Sequence, residues 1–239
     1  MKFFHLSDLH LGKRFNEASL MEDQEYILDR VLDAARAEKP DALLVAGDIY
    51  DKPTPPVDAV EMWDRFLLRI TEICPHVFAL PGNHDAAERV TQYAGFTGRA
   101  GLHLAPPYAG SMQPVTLRDE AGEVDVWQLP FVRPLAVKRF HEQAEIASFT
   151  DAVRTALAGC AFTPGRRNVL CAHQYVTGSV RSDSDVTPVG GLDNVDASVF
   201  DGFDYVALGH IHKAQNVAED GHIRYCGAPL KYTFGECDQ

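Results

Sequence analysis

Apolar runs that end abruptly in small and polar residues recur along the chain: KFFHLSDLH, DALLVAGDIYD, HVFALPGNHD, NVLCAHQ and DYVALGHIH. Most are rich in Val, Ile, Leu or Phe at odd and even positions alike, the pattern of strands buried on both faces. Between them lie stretches with apolar residues at helical spacing, notably Met21 to Lys39 (MEDQEYILDRVLDAARAEK) and Val57 to Ile73. This alternation predicts βαβ units and an α/β sandwich.

The pattern changes between Met112 and Phe131, where VTLRDEAGEVDVWQLP carries strand and turn signals that predict a hairpin or a second sheet. A helix is expected over Val137 to Ala158. The polar, Gly-containing stretch from Thr177 to Asp193 reads as a long loop, either functional or mobile. No internal repeat or low-complexity tract interrupts the order. The final run, RYCGAPLKYTFGECDQ, is still strand-like where it stops, which reads as the first part of a longer protein.

Composition narrows the class. The 239 residues, 46% hydrophobic and 23% charged, suit a globular domain with a sizeable core. MKFFHLSDLHLGKR has polar and acidic residues among its first ten positions and no sustained apolar run. That fits neither a signal peptide nor a membrane span, so a cytoplasmic protein without a membrane partner is expected. Five cysteines (Cys74, Cys160, Cys171, Cys226, Cys237) without CxxC spacing argue for reduced thiols rather than a disulfide framework or a zinc knuckle. A net charge of -12 speaks against gripping nucleic acid by bulk electrostatics alone. Some of that acid can face metal, since a bound divalent cation reverses the local field.

The strand ends carry the chemistry: Asp8 and His10 (DLH), Asp48 (GD), Asn83 and His84 (GNHD), His173 (AHQ), and His210 with His212 (GHIH). All are oxygen or imidazole donors. Residues two apart on an extended strand point the same way, so Asp8 with His10, and His210 with His212, can each offer two ligands from one strand. Carboxylates, imidazoles and one amide oxygen without a thiolate suit Mn²⁺, Fe²⁺ or Zn²⁺. Seven candidate ligands, with His84 set aside, are too many for one ion of ordinary coordination, but they divide between two ions that share a carboxylate, for which Asp48 is the natural bridge. Two metals about 3.5 to 4 Å apart clamp a phosphoryl group and lower the pKa of water, the chemistry of phosphoester hydrolysis.

Taken singly, each piece has a plainer explanation. Asp8 can cap a helix, Asp48 can close a turn, and His173 can be a half-buried core histidine. A turn, however, needs no His-Asp after Gly-Asn, and two imidazoles on one face are costly to place without a use. Five such pieces, each at a strand end, together point to a site.

Asp-x-His, Gly-Asp, Gly-Asn-His-Asp, His and Gly-His-x-His, in that order, resemble the pattern of the calcineurin-like metallophosphoesterases over essentially the whole chain. HLSDLHLGK, LLVAGDIYDKPTPP, LPGNHD, DYVALGHIHKAQ and, most specifically, HIRYCGAPLKYTFGEC are similar to the SbcD type of DNA exonuclease subunit. The resemblance implies a four-layer α/β/β/α sandwich, two mixed sheets flanked by helices. It implies Asp8, His10, Asp48 and His212 around one ion and Asp48, Asn83, His173 and His210 around the other, with Mn²⁺ the expected metal and Fe²⁺, Zn²⁺ or Mg²⁺ alternatives. It makes His84 the catalytic imidazole, with Asp85 placed to orient it. It also implies DNA as substrate, an SbcC-type ATPase and a second copy as partners, and a DNA-capping domain and SbcC-binding segment beyond residue 239. One departure is that His173 follows Ala rather than Gly.

Basic residues near these motifs (Lys13, Arg14, Arg181 and Lys213) are candidates for contact with a phosphate backbone, or else solvated loop charges. Trp63 and Trp127 read as core rather than base-stacking platforms. His5, His76, His103, His141 and His222 have no strand-end partner and are expected to be structural. Two competing readings use the same residues: a small-molecule phosphatase or phosphodiesterase, which the metal motifs permit equally, and a non-catalytic scaffold, which the full ligand set disfavours.

Overall fold

The computed structural model describes residues 1–181 and 193–237. In chain order these form β1 (Phe3–Leu6), a small hairpin of β2 (Arg14–Phe15) and β3 (Ala18–Ser19), α1 (Met21–Glu38), β4 (Ala42–Ala46), α2 (Val57–Thr71) and β5 (His76–Leu80). Two single turns, α3 (Ala87–Val90) and α4 (Ala94–Thr97), lead to β6 (Leu102–Leu104), β7 (Val115–Asp119) and β8 (Gly122–Leu129). Then come α5 (Pro134–Lys138), α6 (Phe149–Leu157), β9 (Arg167–His173), β10 (Tyr205–Gly209), β11 (Gln215–Asn216) and β12 (Ile223–Tyr225).

One sheet has the order β1-β4-β5-β6 and is parallel throughout. The other has the order β11-β12-β10-β9-β8-β7 and is mixed, with antiparallel pairs only at its two edges, β7 with β8 and β11 with β12. Of the two sheets expected to be mixed, the second is; the first lacks an antiparallel strand because each of its neighbours is reached by a crossover.

Alternate residues of the central strands serve different layers. Leu43 and Val45 of β4 pack with Leu28 and Leu32 of α1 and with Phe66 and Ile70 of α2. Ala42, Leu44 and Ala46 face the other sheet and meet Val169, Cys171 and Ala207. On the far side, Leu170 and Ala172 pack with Ala152, Val153, Ala156 and Leu157 of α6. Three apolar layers between four layers of structure explain why these strands read as unbroken apolar runs. A one-residue slip would exchange the two faces of a strand and break both contacts at once.

The expected hairpin is β7–β8, closed where Asp119 pairs with Gly122. The single helix expected over Val137 to Ala158 is instead two, α5 and α6. Ser148 restarts the chain: its hydroxyl accepts from Asp151 N at 3.1 Å, and the Asp151 carboxylate accepts from Ser148 N at 3.0 Å, a reciprocal cap that fixes a helix start there. Of the loop expected from Thr177 to Asp193, residues 182–192 lie outside the described residues. Trp63 stacks on Phe66, and Trp127 is buried with its Nε1 donating to Asn168, so both belong to the core. All five cysteines are free thiols. Among the described residues no helix is long and apolar enough to cross a membrane.

Candidate metal centre

The C-terminal ends of β1, β4, β5, β9 and β10 converge, and every ligand candidate lies at or just beyond one of them. The first two loops run side by side, with Asp8 N donating to the Gly47 carbonyl and His10 N to the Asp48 carbonyl, both at 3.0 Å. The expectation that Asp8 and His10, or His210 and His212, sit two apart on an extended strand is not met, because β1 ends at Leu6 and β10 at Gly209. Asp8, His10, Asp48 and His210 instead have positive φ (55°, 42°, 50° and 105°), a conformation that costs a non-glycine residue energy and that clusters at functional sites.

The donor atoms fall into overlapping sets, and among the described residues Asp8, His10 and His212, then His10, Asp48 and His84, then Asp8, Asp48 and His173 could each hold an ion. Asp8, His10 and His212 bring ligand atoms within 4.8 Å of one another, and His10 Nε2 lies 3.1 Å from His212 Nε2. Asn83 Oδ1 lies 3.0 Å from His173 Nε2 and 2.8 Å from His210 Nδ1. Asp48 joins the sets, its Oδ2 being 3.4 Å from His173 Nε2 and 3.8 Å from His10 Nε2. Asp8, His10, Asp48, His173, His210 and His212 are all buried.

The hydrogen bonds around this cluster fit bound cations. His173 Nδ1 lies 2.7 Å from the Ala46 carbonyl and His212 Nδ1 lies 3.1 Å from Glu236 Oε1. A carbonyl or carboxylate oxygen accepts, so each ring donates from Nδ1 and turns Nε2 into the cluster. There His173 Nε2 meets the oxygens of Asp48 and Asn83. Acceptors aimed at acceptors are satisfied by a positive charge between them. Burial opposes a charged His173, yet Asp48 and Asp8 carry its pKa up to about 9, so without a cation a proton on Nε2 supplies that positive charge, and a bound cation would take its place. Burial and His173 push His210 down to about 3, and burial holds His10 well below its ordinary range, which keeps both imidazoles neutral and ready to ligate. Burial works against a charged Asp48 as well, but the charge on His173 and its hydrogen bond hold it ionised.

His84 and Asp85 take different places. His84 is half-buried, its ring 4.8 Å from that of His10, and its N–H donates to Asp48 Oδ1 at 2.9 Å. Its Nδ1 lies 3.0 Å from the carbonyl of Asp51, not beside Asp85. The Asp85 carboxylate accepts from the main-chain N–H groups of Ile49 (3.0 Å), Tyr50 (2.9 Å) and Gly82 (2.9 Å). The expectation that Asp85 orients His84 is therefore corrected: three backbone donors occupy its oxygens, and it ties the GDIY loop to the PGNH loop.

The motif glycines have steric reasons. A Cβ on Gly82 would lie 2.1 Å from Asp48 Oδ1, and one on Gly209 would lie 1.9 Å from the Ala46 carbonyl and 2.8 Å from His173 Nδ1. Backbone must pass this close for the ends of two sheets to share one cluster.

Several participants escaped the strand-end reading. Asp51 receives Lys13 Nζ at 2.8 Å, and its carboxylate is 3.8 Å from His10 Nδ1. Asp193, buried, lies 3.9 Å from His210 Nε2 and pairs with Arg181 at 2.8 Å. Gln24 of α1 donates to the carbonyls of Leu9 and His10 and fixes the first loop. Phe131 stacks on His210, with centroids 6.2 Å apart and rings inclined by 14°. A Ser/Thr-x-x-Glu signal at TFGE could have drawn attention to Glu236; the others carry no local signature.

Of the basic candidates, Lys13 is engaged with Asp51 and lies over the Tyr232 ring, Arg14 donates to the Glu17 carbonyl, and Arg181 pairs with Asp193 and stacks 3.6 Å from the Tyr175 ring centroid. Lys213 is half-buried beside His212. The five remaining histidines find partners outside the cluster: His5 with Tyr205, His76 with His103, His141 with Tyr108, and His222 with Asp220.

Residues 1–214 match the family described as Calcineurin-like phosphoesterase. The chain is also 31% identical over 243 aligned positions to the SbcD subunit of the nuclease SbcCD of Staphylococcus saprophyticus, an alignment that covers all of this chain and 63% of that relative. The chain thus spans less than two thirds of the length of the curated relative it matches.

Proposed function

The chain belongs to the calcineurin-like phosphoesterase family, and from that premise we propose that it is a metal-dependent DNA nuclease hydrolysing phosphodiester bonds as the SbcD-type partner of an SbcC-type ATPase in the cytoplasm. The observation that carries the hydrolytic part is the pair of donor sets joined by Asp48. Asp8, His10, Asp48 and His212 would hold one divalent cation, and Asp48, Asn83, His173 and His210 a second, with Mn²⁺ the proposed metal. When bound, such a pair supplies Lewis-acid polarisation of the phosphoryl oxygens and a nucleophilic water at neutral pH.

The chain's own residues do the remainder. His84 donates from Nδ1 to the Asp51 carbonyl, which fixes its ring; as the imidazolium it would give its Nε2 proton to the leaving oxygen. Asp85, through Gly82, Ile49 and Tyr50, holds the backbone on which both His84 and Asp48 ride. DNA as the substrate rests on likeness along the whole chain to a relative named as part of a nuclease. The SbcC-type partner, a second copy and the additional C-terminal domain belong to the same reading.

Hydrolysis with added Mn²⁺ tests it, comparing linear double-stranded DNA, single-stranded DNA and bis-p-nitrophenyl phosphate, with Asp48→Ala as control. Degradation of DNA by the wild type alone supports the nuclease. Turnover of the small diester without DNA would favour the small-molecule phosphodiesterase, which suits the net charge of -12 and the ion pairs that occupy Lys13 and Arg181. No turnover of any substrate would leave a scaffold.

A further inference from the structure

The stretch HIRYCGAPLKYTFGEC, the most specific of the sequence likenesses, supplies no cation ligand, yet it closes over one side of the centre. Ala228 N donates to the His212 carbonyl at 3.0 Å. The Tyr232 ring packs edge-on against both His10 (5.3 Å, 79°) and His212 (5.5 Å, 69°), and its hydroxyl donates to the Leu9 carbonyl. Behind Tyr232 stands Glu236, 1% exposed, a rare position for a carboxylate.

We infer that Glu236 is a positioning residue that sets His212 as a cation ligand and so makes occupancy of the first cation site depend on the 232–236 turn. This rests on the two-cation reading above. Glu236 Oε1 lies 3.1 Å from His212 Nδ1, while Oε2 accepts from Tyr232 N at 2.5 Å and Thr233 N at 3.3 Å. One oxygen serves the turn and the other serves the ligand. A carboxylate at Nδ1 fixes the Nδ1–H tautomer and raises the basicity of Nε2, the nitrogen that faces His10 Nε2 at 3.1 Å. His173 in the second set has only a neutral main-chain carbonyl in that role, at 2.7 Å. The two sets therefore differ in kind.

The plainer alternative is that Glu236 only stabilises the turn. Glu236→Gln separates the two: its carbonyl oxygen can still accept from Tyr232 and Thr233, but its NH₂ then points at His212 Nδ1 and donates. That imposes the Nε2–H tautomer, which has no lone pair for a cation.

The test is Mn²⁺ titration of the wild type and Glu236→Gln, with free Mn²⁺ read by electron paramagnetic resonance, alongside thermal unfolding without metal. The wild type is expected to bind two Mn²⁺. The variant is expected to keep the metal-free midpoint and one site while losing roughly 10- to 100-fold affinity at the other. Two unchanged sites in a folded variant would overturn the inference and leave the two-cation reading standing; fewer than two sites in the wild type would overturn both. If Glu236→Gln does not fold, ¹⁵N chemical shifts of His212 in the metal-free wild type decide, assigned with His212→Gln. An Nδ1–H tautomer supports the inference and an Nε2–H tautomer overturns it.

Discussion

His84 Nδ1 lies 3.0 Å from the main-chain carbonyl of Asp51, three residues beyond the carboxylate that joins the two donor sets. A carbonyl only accepts, so the ring is held with Nδ1 protonated and Nε2 left for chemistry. Because its side chain supplies no member of either four-residue set, His84→Ala is expected to retain both cations while turnover of bis-p-nitrophenyl phosphate falls by about 10² to 10⁴. Metal analysis beside kinetics checks this, and loss of metal together with activity would assign His84 to the ligands instead.

Asp85 predicts a different defect. Three main-chain N–H groups share its carboxylate, and each donor left unsatisfied in a buried place costs about 1 to 3 kcal/mol. Asp85→Ala should therefore lower the urea midpoint markedly. Asp85→Asn keeps one acceptor oxygen and should fall between Asp85→Ala and the wild type. Equal stability of all three proteins would show that the two loops do not depend on this tie.

Much of this molecule is written locally. Strands buried on both faces must be apolar at every position, so Leu43, Leu44 and Val45 announce themselves, and a centre made of strand-end ligands leaves short motifs at Asp48, Asn83 and His210. What stayed hidden depends on contacts across the chain. The partner of His84 is a backbone carbonyl, which has no residue type and leaves no mark in the sequence, and the resemblance points to Asp85 instead. Glu236 reaches His212 across 24 positions. The break between α5 and α6 was visible in principle as the Ser148 to Asp151 cap, but apolar spacing on either side masked it.

Gly82 tests the steric reading of the GNHD motif. Its φ is not positive, so Gly82→Ala brings no left-handed strain, but a methyl there lies 2.1 Å from Asp48 Oδ1 and 2.5 Å from the Asp48 main-chain nitrogen. The expected result is a protein in which the Asp48 loop and its shared carboxylate are displaced, with Mn²⁺ affinity lower by at least about tenfold, the order expected when a ligand's orientation is disturbed. Gly209→Ala should behave worse, since its methyl meets the Ala46 main-chain oxygen more closely, at 1.9 Å, and crowds His173 Nδ1 (2.8 Å) and Ser7 Cβ (2.9 Å) as well. Soluble yield and circular dichroism separate the two outcomes.

Away from the cations, His5 sets a pH limit on the fold. Its ring lies between the Tyr205 hydroxyl and the Leu208 carbonyl, each 3.1 Å away, where β1 of one sheet faces β10 of the other. Burial disfavours the imidazolium and brings the pKa down from 6.5 to about 4. A folded state that binds its proton less readily than the unfolded chain loses stability as the pH falls. The contribution of His5 is fully present above pH 6.5 and is withdrawn between 6.5 and 4, by about 2 to 3 kcal/mol across that window. Other histidines titrate there too, so the quantity to measure is the difference in urea stability between wild type and His5→Gln at pH 7 and at pH 4.5. The wild type should lose more on acidification than the variant, and parallel losses would show that His5 is not held neutral by the sheets that enclose it.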